Sequence, residues 1–125
     1  MTDGSLPPLP ERESERGVVR ADHPMFAGHF PGHPIVPGAW LLAWVVATAS
    51  RRLAAERDPR AVMGVKRVKF LRPLAPDQAF ECALKFGARS VGSETNPHNS
   101  MRFAVNSSGT LIAEGSLLLQ PPRLD

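Results

Sequence analysis

One stretch near the middle of the chain, residues 39–52, combines a continuous apolar run with the length of a helix. Pro37 suits the first position of this helix, because its missing N–H would have no intrahelical partner there. Arg51 and Arg52 lie near the end of the stretch, where they complement the negative end of the helix dipole. Since apolar residues occupy every face of the first turns, we expect protein to surround this helix.

The remaining segments have the composition and alternation of strands. A short strand is predicted at residues 17–21, and four longer strands are predicted at residues 62–74, 79–88, 100–108 and 110–120. We expect the four consecutive strands to form an antiparallel meander, with a tight turn around SSGT. A sheet with one apolar face must be covered, and the single helix is the candidate for this. The pattern predicts an α+β domain in which a curved antiparallel sheet wraps around one long helix.

Length and composition indicate one domain. A chain of 125 residues removes roughly two thirds of its unfolded surface from water, which is enough for one core. Residues 1–16 are polar and proline-rich, so we expect a flexible leader, followed by a single domain over residues 17–125. The leader lacks the features of a secretory signal, and no segment has the ~18 consecutive apolar residues of a membrane span. We therefore expect a cytoplasmic protein.

Charge and cysteine content exclude several classes of site. A single cysteine, Cys82, excludes an internal disulfide. Its strand-like surroundings favour a small buried residue over a nucleophile. No cysteine pair is present, so we expect neither a metal nor a redox cofactor. The net charge is +3, which suits an acidic partner or simply solubility. Basic and aromatic residues are not interleaved, so we expect no nucleic-acid binding.

The stretch GHFPGHPIVPGAW, residues 28–40, is stiff, carries two histidines and leads directly into the helix. GHFPGHPIVPG closely resembles the GHFPxxPxxPG signature of the hot-dog-fold 3-hydroxyacyl-[acyl-carrier-protein] dehydratases of the FabZ type. VKFLRPLAPDQ resembles the family's VKFRRPVxPGDQ, and GTLIAEGSLLL resembles its final GxxVAEAxL strand. The likeness covers about residues 17–120. The short start, with DHPMFAGHFPG, looks more like the dehydratase-like proteins of aryl-polyene clusters.

The resemblance implies dehydration of a 3-hydroxyacyl thioester to the trans-2-enoyl product. His29 matches the base that removes the C2 proton, and Gly38 matches the glycine whose N–H binds the thioester carbonyl. The carbonyl of Ile35 matches the acceptor that orients the imidazole. An imidazole titrates near neutral pH, and a helix N-terminus offers unpaired donors, so the chemistry agrees. The residues expected to line the substrate pocket are Phe26, Phe30, Ile35, Val36, Pro37, Trp40, Ala43 and Trp44.

The resemblance also implies partners. In this fold the sheets of two subunits join and the pocket lies between them, so we expect a homodimer. The substrate would be a thioester of acyl carrier protein or coenzyme A, used in the biosynthesis of fatty acids or related lipids and polyenes. No metal or redox cofactor is implied.

One family residue is missing. The dehydratases protonate the departing hydroxyl with a Glu or Asp on the helix of the partner subunit, and the matching position here is Ala43. No carboxylate occurs between Met25 and Ala55. Three interpretations stay open. In the first, the protein is a dehydratase in which His29, His33, His23 or a water replaces the acid. In the second, it binds acyl groups or a carrier without turnover, in a mixed dimer with an active paralogue. In the third, it is a thioesterase.

Several other residues have two interpretations. Trp40 and Trp44 share one helix face, where they either pack in the core or narrow an acyl tunnel. Arg67, Lys69 and Arg72 either form a solvated strand face or dock an acidic carrier or a phosphate. We favour a turn role for His23.

Overall fold

The computed structural model describes residues 14–26, 34–86 and 99–120. These residues form a five-stranded antiparallel sheet and one long helix. The strands are β1 (Ser14–Gly17), β2 (Ala61–Phe70), β3 (Phe80–Phe86), β4 (Ser100–Ser107) and β5 (Thr110–Gln120), the helix is α1 (Gly38–Ala55), and a 3-10 turn spans Pro24–Phe26. Among these residues, no helix is both long and apolar enough to cross a membrane.

The order of the strands differs from the predicted meander. The order in the sheet is β1-β3-β4-β5-β2, so β3, β4 and β5 form hairpins, but β2 pairs with β5 and not with β3. The expectation of four strands in sequential order was therefore wrong for β2. The N–H groups of Leu71 and Arg72 donate to the carbonyl oxygen of Ile112 at 2.7 and 3.2 Å, so the chain leaves β2 alongside β5. Apolar alternation sets which face of a strand is buried, whereas the connections decide its neighbour.

The first strand lies earlier than predicted. It spans Ser14–Gly17 and pairs with β3, whereas residues 18–20 lie outside the ladder. The chain turns away because the N–H of Asp77 donates to the carbonyl of Val19 at 2.6 Å and the Asp77 carboxylate accepts from the N–H of Ala21 at 3.0 Å. Residues 1–13 of the predicted leader lie outside the described residues.

The turn between β4 and β5 forms where SSGT predicts it. Ser107 and Thr110 are paired across the hairpin, and the two turn residues, Ser108 and Gly109, have φ angles of 50° and 79°. Positive φ at both central residues is the geometry whose twist matches the flanking strands, and glycine adopts it without strain.

The core lies between α1 and the concave face of the sheet. Leu41, Val45, Ala49 and Leu53, at successive turns of α1, are all buried. The sheet contributes buried residues from every strand from β3 to β5, among them Cys82, Leu84, Met101, Phe103, Val105, Leu117 and Leu119. The prediction that the sheet wraps around the helix is confirmed.

One face of α1 and one edge of the sheet are exposed in the single chain. Ala39, Ala43 and Ala47 form an exposed stripe of small residues, so the expectation that protein surrounds the helix does not hold for one chain. At the sheet edge, β2 leaves Met63 59% and Val65 39% exposed. A long edge strand with exposed apolar side chains is a surface on which another chain can pair.

The packing of β5 gives a test of the core. Leu117 is completely buried, whereas its neighbour Leu118 on the opposite face is 38% exposed. We expect Leu117→Ala to lower the free energy of unfolding by about 3 kcal/mol, since it removes buried methyl groups and leaves a cavity. The matched control Leu118→Ala should lower it by less than about 1 kcal/mol. Urea denaturation measures both, and equal losses would contradict the assigned faces of β5.

Candidate functional site

The N-terminus of α1 presents an unpaired hydrogen-bond donor. Pro37 is the N-cap residue, with φ −61° and ψ 140°, and no side chain caps the helix. The carbonyl of Pro37 accepts from the N–H of Leu41 at 3.1 Å, but within the described residues the N–H of Gly38 has no acceptor. The first N–H groups of a helix lack intrahelical partners, and the helix dipole makes this end positive. The position suits an oxygen that carries negative charge.

A cavity of about 330 Å³ lies directly beside this helix start. Its lining residues are Ile35, Val36, Gly38, Leu41, Phe70, Leu71, Arg72, Pro73, Leu74 and Ile112. Arg72 is the one charged side chain among these described residues, and none of them is a carboxylate. The N–H of Val36 donates to the carbonyl of Leu74 at 2.8 Å, which joins the two walls. Such a cavity can hold an apolar group next to the free N–H of Gly38.

Phe70 explains why residue 38 is a glycine. A Cβ atom built on Gly38 would lie 2.9 Å from Cζ of Phe70, which is closer than side-chain carbons pack. The absence of a side chain therefore allows the ring to lie against the first turn of α1. Phe70 is 49% exposed and lines the cavity, so its ring forms part of the rim.

The segments before and after residues 27–33 both form hydrogen bonds with residues 71–79, which connect β2 to β3. Before the gap, Asp77 bonds to Val19 and Ala21, as described above. After the gap, Val36 bonds to Leu74. Gln78 anchors the connection itself, since its amide donates to the buried Ser107 hydroxyl at 2.8 Å. The crossover from β2 to β3 thus positions both flanks of the predicted catalytic segment.

The structure brings together only some of the predicted site residues. Ile35, Val36 and Gly38 line the cavity, and Pro37 caps the helix beside them. Ala43 is exposed on the outer side of α1. His29 and Phe30 lie outside the described residues, so their roles stay predictions.

The two tryptophans and Phe26 lie elsewhere. Trp44 is half-buried and packs edge-on against Phe80, with ring centroids 4.9 Å apart. Trp40 lies edge-on to His23 at 6.1 Å. Neither indole lines the cavity, and Phe26 is half-buried against the core. In the single chain, Phe26, Trp40 and Trp44 are partly buried and pack against the hydrophobic core.

The histidine in this segment has a turn role. Nδ1 of His23 accepts a hydrogen bond from the N–H of Met25 at 3.0 Å, which starts the 3-10 turn. The prediction of a turn residue is confirmed. His33 and His98 lie outside the described residues.

Several cavity residues were missed from the sequence. Phe70, Leu71 and Ile112 come from β2, the segment after it and β5, far from the histidine motif along the chain. Phe70 and Leu71 belong to the VKFLRPL stretch, whose resemblance to the family indicated that it matters. The resemblance did not show that this stretch lies beside the helix. The pairing of β2 with β5 is what brings these residues to Gly38.

The lone cysteine is buried and protonated. Cys82 has no exposed surface, and burial, with a smaller contribution from the nearby Glu15 carboxylate, raises the pKa of its thiol from 9.0 to about 12. A thiol with this pKa carries almost no thiolate at neutral pH, and the thiolate is the nucleophilic form. The prediction of a structural cysteine is confirmed.

Comparisons with known proteins agree with the fold and with the motif. A family model described as ApeI-like, ApeI dehydratase, matches residues 12–116. A 3-hydroxyacyl-[acyl-carrier-protein] dehydratase FabZ of Thermomicrobium roseum is 35% identical over 106 residues, which are 80% of this chain and 66% of that protein. The chain therefore spans a little under two thirds of that relative's length.

Solved structures show the fold. The dehydratase heterocomplex ApeI:P from Xenorhabdus doucetiae has a TM-score of 0.65 and 22% identity, over 85% of this chain and 84% of that one. A thioesterase from Thermus thermophilus, complexed with coenzyme A and Zn, has a TM-score of 0.62 and 19% identity, over 91% of this chain and 86% of that one. The predicted α+β hot-dog fold is confirmed.

The contact between Phe70 and Gly38 can be tested with a double-mutant cycle. Alanine is a better helix former than glycine by about 0.5–1 kcal/mol, but here its methyl group meets the Phe70 ring. We expect Gly38→Ala to destabilise the protein by about 1 kcal/mol when Phe70 is present. In the Phe70→Ala background the same change should be neutral or stabilising. Thermal unfolding of the four proteins measures this, and an identical effect in both backgrounds would exclude the contact.

Proposed function

Because the chain belongs to the ApeI-like family of dehydratases, we propose that it acts as a dehydratase-like protein on 3-hydroxyacyl thioesters in the cytoplasm. The carrier is acyl carrier protein or coenzyme A. One observation carries the proposal: the histidine motif runs into a helix that begins at Gly38, whose N–H has no acceptor among the described residues and which lines an apolar cavity. This combination suits chemistry at the carbon next to a thioester carbonyl.

In the proposed reaction, His29 acts as the base. Its imidazole takes the proton from C2, and the electrons of the C2–H bond move towards the thioester carbonyl. The carbonyl oxygen gains negative charge and accepts a hydrogen bond from the N–H of Gly38, aided by the helix dipole. The C2–C3 double bond then forms as the C3–O bond breaks. The departing hydroxide takes up the proton that His29 removed from C2 and leaves as water, which returns the imidazole to its neutral form.

The cavity supports binding of the acyl end of the substrate. Its walls are aliphatic and aromatic, and its volume of about 330 Å³ falls at the lower end of ligand pockets. Arg72 adds a guanidinium group to the lining, which can donate hydrogen bonds to an oxygen of the substrate. The ring of Phe70, packed on Gly38, limits the space next to the reacting carbonyl.

The proposed assembly is a dimer formed through β2. The ten-residue strand β2 is an edge strand with exposed Met63 and Val65, and the Ala39, Ala43 and Ala47 stripe is also exposed. A second copy of this chain covers the edge but brings another alanine at position 43. A related hot-dog chain with a carboxylate at that helix position would instead supply the acid. The similar ApeI:P structure, a heterocomplex, makes such a mixed dimer the alternative to a homodimer.

A second candidate function is acyl or carrier binding without turnover. It is favoured by Ala43 and by the lack of a carboxylate among the residues that the structure describes around the cavity. Loss of a general acid typically lowers a rate by ~10²–10⁴. The test is incubation with short- and medium-chain 3-hydroxyacyl and enoyl thioesters, followed by mass. Enoyl or hydrated product supports the dehydratase, binding without conversion supports the second function, and free thiol without enoyl product supports a thioesterase.

Replacement of His29 tests the base. We expect His29→Ala to abolish conversion while it leaves the unfolding midpoint within a few degrees of the wild type, since the variant loses only the proton acceptor. The readout is the initial rate of enoyl formation by mass. If activity survives in this variant, another group acts as the base.

Introduction of a carboxylate on α1 tests the missing acid. We expect Ala43→Glu to raise the rate of dehydration by about tenfold or more, because a general acid then reaches the departing hydroxyl of the neighbouring site. Ala47→Glu, one turn further along the same exposed stripe, is the matched control and should leave the rate unchanged. Equal rates for both variants and the wild type would show that the acid does not limit the reaction.

A further inference from the structure

A short turn, capped by a histidine side chain, ends the segment that leads into residues 27–33. The turn spans Pro24–Phe26, and the N–H of Phe26 donates to the carbonyl of His23 at 3.0 Å. The N–H of Met25 donates to Nδ1 of the same histidine, also at 3.0 Å. His23 therefore has the role that a Ser, Asn or Asp side chain usually has before a first helical turn.

The cap exists in only one protonation state of the imidazole. A neutral imidazole has one N–H and one lone pair, so Nδ1 of His23 accepts a hydrogen bond only when the proton is on Nε2. In an imidazolium ion both nitrogens carry protons, and Nδ1 and the N–H of Met25 would then be two donors 3.0 Å apart. Met25 is half-buried, and its N–H has no second acceptor in the described part of the chain. Protonation of His23 therefore breaks the cap.

The same imidazole joins the turn to the long helix. Its ring lies edge-on to Trp40, with the ring centroids 6.1 Å apart and the ring planes at 76°. Trp40 belongs to the first turn of α1, which begins at Gly38 and presents the unpaired N–H. The contact thus connects the segment before residues 27–33 with the helix start that follows them. It acts in addition to the hydrogen bonds that both segments form with residues 71–79.

His23 is the main polar anchor at this end of the segment. Asp77 holds the backbone only as far as Ala21. Between Ala21 and Phe26, each of the described hydrogen bonds involves His23. The side chains of Met25 and Phe26 also pack against the core, but this contact is apolar and does not fix a direction. The cap therefore orients the part of the chain that continues towards the proposed base.

The charged groups around the imidazole do not replace the lost hydrogen bond. On the same segment, the Arg20 guanidinium and the Asp22 carboxylate lie 3.8 Å apart and are highly exposed, so water screens both. From the β2–β3 connection, the Asp77 carboxylate accepts from a backbone N–H. From Gly38 to Ser50, α1 has no titratable side chain. An indole attracts a cation over its face within about 6 Å, and Trp40 lies at that limit.

We propose that neutral His23 is a positioning residue for the candidate site, and that protonation of its imidazole at acidic pH releases the turn from the first turn of α1. The proposal rests on the proposed function, because the chain between the two flanks carries His29, the proposed base. Imidazoles titrate between about pH 5 and 8. The stability that the cap contributes is present above this range and is lost as the pH falls through it.

Two variants separate the hydrogen-bond acceptor from its titration. In asparagine, Oδ1 is bonded to Cγ, as Nδ1 is in histidine, and it accepts from the N–H two residues further along at any pH. In glutamine, the oxygen lies one bond further from the backbone and does not match Nδ1. His23→Asn therefore keeps a cap that does not titrate, and His23→Gln removes the cap. Both variants lack the ring, so the difference between them reports the cap alone.

Thermal unfolding of the three proteins tests the switch. Between about pH 8 and about pH 5.5, the unfolding midpoint of the wild type should fall by about 5 °C relative to that of His23→Asn. His23→Gln should unfold about 5 °C below His23→Asn at both pH values. All other titrating groups are shared, so their effect cancels in these differences. A constant difference between the wild type and His23→Asn, or equal midpoints for the two variants, would overturn the proposal.

NMR reads the protonation state of the imidazole directly. Long-range ¹H–¹⁵N correlation spectra distinguish the two neutral tautomers from the cation, and the signals of His23 are those that disappear in His23→Asn. We expect the tautomer with the proton on Nε2 at about pH 8 and the cation at about pH 5.5. The tautomer with the proton on Nδ1 at pH 8, or an imidazole that does not titrate in this range, would contradict the cap.

Kinetics keep this test distinct from that of the proposed function. If a 3-hydroxyacyl thioester is converted, kcat/KM should fall more steeply on the acid side for the wild type than for His23→Asn, because two imidazoles must be neutral in the wild type and one in the variant. Equal slopes would overturn the positioning role. Loss of conversion in His23→Asn at pH 8, with its midpoint retained, would show that His23 itself transfers a proton and would also overturn it. If no thioester is converted, the proposed function fails, while unfolding and NMR still decide whether His23 is the switch.

Discussion

The crossover between β2 and β3 is the constraint on which the arrangement of the site depends. Because β2 pairs with β5 at one edge, residues 71–79 must travel to β3 on the other side of the sheet. In this connection, the carbonyl of Leu74 accepts a hydrogen bond from the N–H of Val36. Asp77 forms hydrogen bonds with Val19 and Ala21, and the Gln78 side chain donates to the Ser107 hydroxyl. It therefore holds both flanks of residues 27–33 and supplies one wall of the cavity. A change in this connection acts on the site without any contact with substrate.

The parts of the fold that were predictable are those set by local pattern. The apolar run after Pro37 predicted α1, and alternation predicted β2 to β5 with small errors at their ends. The Ser108 and Gly109 turn followed from its composition. The neighbour of β2 and the position of β1 were not predictable in this way, because both depend on hydrogen bonds between distant segments, such as those of Asp77.

The same distinction applies to the candidate site. The motif correctly indicated Gly38 at a helix start, and the adjacent Ile35 and Val36 do line a cavity. Phe70 and Ile112 were missed, because only the β2–β5 pairing brings them there. The spacing of Trp40 and Trp44 allowed two interpretations, and in the single chain Trp44 packs on Phe80 while neither indole reaches the cavity. Spacing along a helix shows which residues share a face, but not what that face contacts.

If His29 is the base and Gly38 the oxyanion donor, as proposed, and the helix acid is absent, removal of the C2 proton is faster than loss of water. The most direct measurement is incubation of a 3-hydroxyacyl thioester with the protein in D₂O, with deuterium at C2 and enoyl product both followed by mass. We expect deuterium to enter C2 of the unreacted substrate faster than enoyl product forms. Enoyl formation without such exchange would mean that an acid is in place, and no exchange at all would mean that the base does not act.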